Sequence, residues 1–177
     1  MSSQKEKNIK KEKTGQSPAK DSMEKQIAAV VEQLRQRGQT LAFAESCTGG
    51  WLSSKFTEQS GVSDVFLGSI VAYSNGLKAQ ALQVPQHLFT TVGAVSRPVA
   101  LSMAHGAKVL TKATWAVSIT GIAGPKGGTK KKPVGTVCLA VVGPGFERAT
   151  IQKFSGNRMQ VQQSSAEFAV RWFSENL

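Results

Sequence analysis

Histidine is nearly missing from this 177-residue chain, and so is aspartate beyond the N-terminal region. The histidines are His87 and His105, and after residue 25 the sole aspartate is Asp64. A Ser-His-Asp triad or a histidine-based metal centre would have to be assembled from these groups, and neither histidine stands at ligand spacing from carboxylates. Both are therefore expected to be surface or packing residues, with no metal bound. Cysteine is equally scarce: Cys47 and Cys138 lie in apolar surroundings, which predicts reduced, buried thiols and no disulfide framework. No stretch approaches the roughly 20 apolar residues of a membrane span, and the N-terminus lacks the apolar core of about 7–15 residues that a secretory signal needs. The chain is expected to be soluble and cytoplasmic, with no membrane partner.

Positive charge is in excess. Twenty-two Lys and Arg against 11 Asp and Glu give a net charge of +11. Residues 1–25 hold seven lysines and four acids, so +3 resides there and +8 in the remainder. A basic surface suits nucleic acid, phosphate-bearing small molecules or simple solubility, and no nucleic-acid motif selects the first. With 40% hydrophobic residues, the chain can build one domain with a substantial core. Residues 1–21 carry lysines at positions 5, 7, 10, 11, 13 and 20 and almost no large apolar side chain, so a disordered lysine-rich tail is expected there, followed by one domain over 22–177.

Within that domain the hydrophobic period alternates between helix and strand. Ile27, Val30, Val31 and Leu34 recur at helical spacing, with Ser22 a candidate cap and Gly38 a stop. Residues 40–44 read as a buried strand, 49–59 as a helix, and 65–73 as a central strand rich in β-branched and aromatic residues. Asn75 is a candidate cap for a short helix that contains Lys78 and ends before Val84-Pro85. Ser96 and Pro98 open an amphipathic helix whose stripe is Val99, Met103, Ala107 and Leu110. A strand over 115–120 is followed by strands over 133–142 and 146–154 joined at Gly143-Pro144-Gly145, hence an antiparallel hairpin, and by a final helix over 158–175. The order predicts an α/β fold: a three-layer α/β/α sandwich whose mixed sheet includes a C-terminal antiparallel hairpin.

Chemistry concentrates where strands end. Glu45-Ser46-Cys47-Thr48-Gly49-Gly50 joins a strand to a helix, which places a hydroxyl at the sheet rim beside free backbone N–H groups. One reading makes Ser46 a nucleophile; the other makes Ser46 and Thr48 simple caps and the glycines a turn. Cys47 is a second candidate nucleophile, but it needs a basic partner. Lysine is the better base for Ser46, and Tyr73 and Lys78 bracket the end of the 65–73 strand. Bringing a lysine from about 10.4 to about 7.5 requires roughly 4 kcal/mol, whereas a helix N-terminus supplies about 0.3–1 kcal/mol. Desolvation must supply the rest, so a working Lys78 must be buried; a solvated Lys78 is the alternative. A third constellation is Thr120-Gly121-Ile122-Ala123-Gly124-Pro125-Lys126-Gly127-Gly128, followed by Lys130 to Lys132. Such a loop offers backbone donors to an anion, or is merely a surface loop; it is neither a Walker loop nor a dinucleotide fingerprint. Arg158, opening the last helix, could take phosphate or face water.

Taken together, five ordered blocks resemble the CinA C-terminal domain family over about residues 23–177. They are Ala44-Glu45-Ser46-Cys47-Thr48-Gly49-Gly50, Tyr73-Ser74-Asn75 with Lys78, Gly93-Ala94-Val95-Ser96, Thr120 to Pro125, and Lys132-Pro133-Val134-Gly135-Thr136. Stand-alone members of that family are nicotinamide mononucleotide deamidases. The resemblance implies metal-free and cofactor-free hydrolysis of nicotinamide mononucleotide to nicotinic acid mononucleotide and ammonia, on a homodimer or higher homo-oligomer. By position it makes Ser46 the nucleophile, Lys78 the general base, Tyr73 their partner and Arg158 a substrate-binding residue. The reading of the loops adds Thr48, Gly49 and Gly50 at the oxyanion, and Thr120, Gly121, Gly127 and Gly128 around the substrate. Asn157 stands where the family commonly has Asp, and Gly76-Leu77 where Glu-Ala usually precedes the lysine. The rival expectation is a non-catalytic basic module that binds nucleic acid or another nucleotide. Nucleic-acid binding would weaken steeply between about 50 and 200 mM salt.

Overall fold

A computed structural model describes residues 18–177, with side chains from Met23 onward. Most of the tail expected over 1–21 lies outside the described residues. The first helix, α1, spans Pro18–Gln36. Ser22 is therefore inside the helix and not its cap, since Pro18 fits a first helical turn and no breaker follows it.

Strand β1 (Leu41–Glu45) leads to α2 (Trp51–Thr57), a 3-10 turn (Val62–Asp64), β2 (Phe66–Val71), and helices α3 (Asn75–Leu82), α4 (Gln86–Thr91) and α5 (Arg97–Thr111). Three strands then follow, β3 (Trp115–Gly121), β4 (Thr136–Gly143) and β5 (Phe146–Lys153), and α6 (Arg158–Ser174) closes the fold. The sheet order is β2-β1-β3-β4-β5, with β2, β1 and β3 parallel and β3, β4 and β5 antiparallel. The mixed sheet and its hairpin agree with the sequence reading. β2 does not: it is an edge strand, not a central one, and leaves Leu67 and Val71 exposed. Composition reports strand propensity, but it carries no information on which neighbours a strand acquires. Helix α4 was also unforeseen, because its six residues include no buried one and so carry no periodic apolar signal.

Alternation along β1 sorts the core into two layers. Leu41 and Phe43 face α1, α2 and α6, where Phe43 packs edge-on against Phe56 at 4.8 Å and Val30, Leu34, Leu52, Val161 and Phe173 fill the layer. Ala44 faces the opposite layer with Leu82, Val99, Met103 and Ala107. Small residues on that face of the sheet let α5 approach closely enough for the Ser118 hydroxyl to donate to the Ala100 carbonyl at 2.6 Å. The α5 stripe runs Val99, Ala100, Met103, Ala104 and Ala107, capped by Ser96 as expected; Leu110, assigned to it from spacing, is exposed in the last turn of the helix. Continued past Ala44, the same alternation sends Glu45 toward α2 and Ser46 toward α3.

Candidate functional site

Glu45 is fully buried, and its carboxylate collects the orphan amides at the start of α2. Oε2 accepts from the Gly50 and Leu52 N–H groups, both at 3.1 Å; Oε1 accepts from the Ser53 N–H at 2.9 Å and the Ser69 hydroxyl at 3.1 Å. An internal carboxylate thus occupies the site that a helix N-terminus would otherwise offer to a ligand anion. Thr48 does not cap the helix: Gly50 holds the N-cap position at φ 96°, and the Thr48 hydroxyl is buried without a partner. The Gly49 N–H is also committed, to the Ser46 carbonyl at 3.1 Å. Glycines 49 and 50 therefore shape the turn, and the expectation that their amides are free for an oxyanion does not hold. The Thr48 N–H donates to no acceptor among the described residues, and the Cys47 N–H meets only its own sulfur.

On the other face, α3 is capped by Ser74, whose hydroxyl accepts from the Leu77 N–H at 3.1 Å; the expected cap, Asn75, is the first helical residue. That start brings Lys78 inward beneath the Ser46 turn. Lys78 is only 2% exposed, and its Nζ donates to Ser46 Oγ at 2.9 Å and to the Tyr73 carbonyl at 3.1 Å. Burial holds the Lys78 amine below its ordinary value of 10.5, the direction that favours the neutral form able to accept a proton. The neighbouring thiol behaves oppositely: burial pushes Cys47 up to about 12, which keeps it protonated and disfavours it as a nucleophile. Cys138, on the α5 side of the sheet, is pushed up to about 11 by the same cause.

Ser46 and Lys78 open on a pocket of about 200 Å³ whose lining includes Tyr73, Thr120, Gly121 and Arg158. Tyr73 meets Lys78 through its carbonyl, not its phenol. Its exposed ring reaches outward, and its hydroxyl accepts from Arg158 Nη2 at 2.6 Å, while Arg158 Nη1 donates to the Gly124 carbonyl at 2.8 Å. Arg158 begins α6 after Asn157, which forms a reciprocal capping box with Gln160. Gly127 and Gly128 do not reach the pocket. A side chain at 128 would strike the Val134 backbone nitrogen at 2.7 Å, so this half of the loop folds back on its own exit and carries Lys126 into solvent. His105 pairs with Glu147 on the surface at 2.7 Å, Asp64 pairs with Arg35 at 2.6 Å, and no metal-binding cluster of His, Cys, Asp or Glu occurs among the described residues.

The structure thus brings Ser46, Lys78, Tyr73, Thr120, Gly121 and Arg158 together, and sets Thr48, Gly49, Gly50, Gly127 and Gly128 apart from the cavity wall. Sequence reasoning missed Glu45, whose signal was its position in the alternation of β1. It also missed Gln162, which donates to the Cys47 carbonyl at 2.7 Å across 115 residues and leaves no local trace.

A family model for the CinA C-terminal domain matches residues 23–177. The chain belongs to the CinA C-terminal domain family. Among curated relatives, a CinA-like protein of Prochlorococcus marinus is 45% identical over 149 residues, covering 82% of this chain and 34% of that protein. A CinA-like protein of Synechococcus is 54% identical over 117 residues, covering 66% and 28%. The chain thus spans about a third of the length of these relatives. Solved CinA-superfamily structures share the fold: a competence-damaged protein superfamily member from Escherichia coli superposes with TM-score 0.86 at 30% identity, covering 97% of this chain and all of the other. A competence/damage-inducible protein from Agrobacterium tumefaciens gives 0.81 at 34% identity, covering 90% and 97%. No described helix is long and apolar enough to cross a membrane.

Proposed function

We propose that this CinA domain is an amidohydrolase that converts nicotinamide mononucleotide to nicotinic acid mononucleotide and ammonia through a Ser46–Lys78 dyad. The observation that carries the reading is the 2.9 Å contact between a buried lysine amine and a serine hydroxyl at the floor of an open pocket. The neutral amine takes the hydroxyl proton as Ser46 Oγ attacks the carboxamide carbon. The negative charge that develops on the carboxamide oxygen is met by the N–H group of Cys47, which follows Ser46 in the pocket lining. Lys78 then returns its proton to the departing nitrogen, ammonia leaves, and an acyl ester remains on Ser46. Water enters, gives its proton to Lys78, and attacks the ester; the carboxylate product departs as Ser46 recovers its proton. Arg158 exchanges its Tyr73 partner for the phosphate of the substrate, a bidentate match for its planar fork. The reading includes a small nucleotide as partner, with no nucleic acid or membrane, a homodimeric or higher assembly, and a cytoplasmic location.

Ammonia release from nicotinamide mononucleotide, measured for the parent, Ser46→Ala and Lys78→Ala, tests this. Turnover by the parent and losses of at least about a thousandfold in both variants are expected. Either variant working at the parental rate overturns the dyad.

A further inference from the structure

One wall of the pocket is the connection between α4 and α5, which contributes Ala94 and Val95. Connections of this kind usually leave their carbonyls to water. Here every carbonyl from Val92 to Val95 accepts a side-chain donor. Lys132 Nζ donates to the Val92 and Val95 carbonyls, both at 2.7 Å. The Ser96 hydroxyl donates to the Gly93 carbonyl at 2.8 Å, and the Thr120 hydroxyl to the Ala94 carbonyl at 3.0 Å. Ser96 is a near neighbour, but Thr120 is the next-to-last residue of β3 and Lys132 lies 37 residues from Val95 on the far side of the glycine-rich loop. Lys130 and Lys131 on the same loop are exposed; Lys132 is half-buried and turned onto the wall.

We infer that Lys132 is a positioning residue that clamps the Val92–Val95 wall in its substrate-receiving shape, and so governs substrate affinity without taking part in the chemistry. This rests on the amidase reading for its substrate, though not for its geometry. A single ammonium bridging two carbonyls three residues apart fixes the span of the wall, and charge-assisted bonds of this length are stronger than neutral ones. All four carbonyls are thus engaged within the protein, and the wall's course past Ala94 and Val95 is held by side chains from outside it. Lys132 Nζ hydrogen-bonds the wall and the Lys78 amine hydrogen-bonds Ser46 and Tyr73, with no bond between the two sets, so loosening the wall leaves the reacting groups in place.

The test compares the parent with Lys132→Met, which keeps the stem and loses the donor, and Lys132→Arg, which can still donate to two carbonyls. Two readouts are taken: KM and kcat for ammonia release from nicotinamide mononucleotide, and hydrogen exchange of the Val92 and Gly93 amides, which donate to the Leu88 carbonyl beside the wall. Lys132→Met is expected to raise KM about tenfold with kcat changed less than about twofold, to speed exchange at residues 92 and 93, and to leave β1 and β3 protected. Lys132→Arg is expected to restore most of both. Unchanged KM with unchanged exchange overturns the clamp, and so does a loss confined to kcat. A global gain in exchange, shared by β1 and β3, also overturns it by showing a role in folding alone. A parent that releases no ammonia refutes the amidase reading instead, and the exchange comparison still decides the clamp.

Discussion

Replacing Glu45 by glutamine changes one oxygen to an NH2 group and should destabilise the fold well beyond what an isosteric change at the surface would do. The carboxylate serves four donors, paired on its two oxygens: Gly50 and Leu52 N–H on Oε2, Ser53 N–H and Ser69 hydroxyl on Oε1. The side-chain amide of the Glu45→Gln variant settles best with its nitrogen at the Oε1 position, because the Ser69 hydroxyl can rotate and accept while a backbone amide cannot. One buried N–H, that of Ser53, is then unpaired, at about 1–3 kcal/mol, and the charge–dipole interaction with α2 is lost at roughly 0.3–1 kcal/mol. The expected sum is about 1–4 kcal/mol, which corresponds to a fall in Tm of roughly 3–15 °C for a domain of this size. Glu45→Ala unpairs all three amides and should cost more, while Ser69→Ala should cost under about 1 kcal/mol. Urea titrations of the three variants measure the costs, and hydrogen exchange at Gly50, Leu52 and Ser53 locates them. If Glu45→Gln stays within about 0.5 kcal/mol of the parent with those amides still protected, the helix start is held by something other than this carboxylate.

Two further predictions concern Lys78. In the proposed dyad the neutral amine is the base, so kcat/KM should rise with pH through an inflection below the ordinary 10.5, and a limb that appears only at or above 10.5 would contradict the buried base. Burial lowers the Lys78 pKa in the folded protein, so between that value and 10.5 the unfolded chain binds the extra proton and stability rises with pH. Lys78→Met should abolish that rise and gain most, relative to the parent, on the acid side of the interval. Urea melts from about pH 7 to 10 check this, and parallel curves for parent and variant would rule it out.

Much of the architecture was legible because it rests on local rules. Ser96 and Pro98 announce α5, Gly143-Pro144-Gly145 announces the hairpin, and the helical stripe of Ile27, Val30, Val31 and Leu34 announces α1. The candidate site was legible in its residue types for a related reason: a hydroxyl at a strand end and a lysine at the start of a helix are each local features. Where these features failed, the deciding interaction was distant. Thr48 looked like a cap, and Glu45, set on the α2 side by the alternation of β1, took the amides instead. Gly127 and Gly128 looked like an anion cradle; Gly128 instead folds against Val134, and neither lines the pocket.

What the chain determines alone is the set of elements and the reactive groups at their ends, since caps, turns and hydrophobic periods act over a few residues. What tertiary packing decides is how those groups are placed and solvated. The lysine at 78 loses its ordinary basicity only when α3 is pressed against the sheet and the Ser46 turn, 32 residues earlier, closes over it. Desolvation is a property of the assembled layers, and no stretch of sequence possesses it by itself.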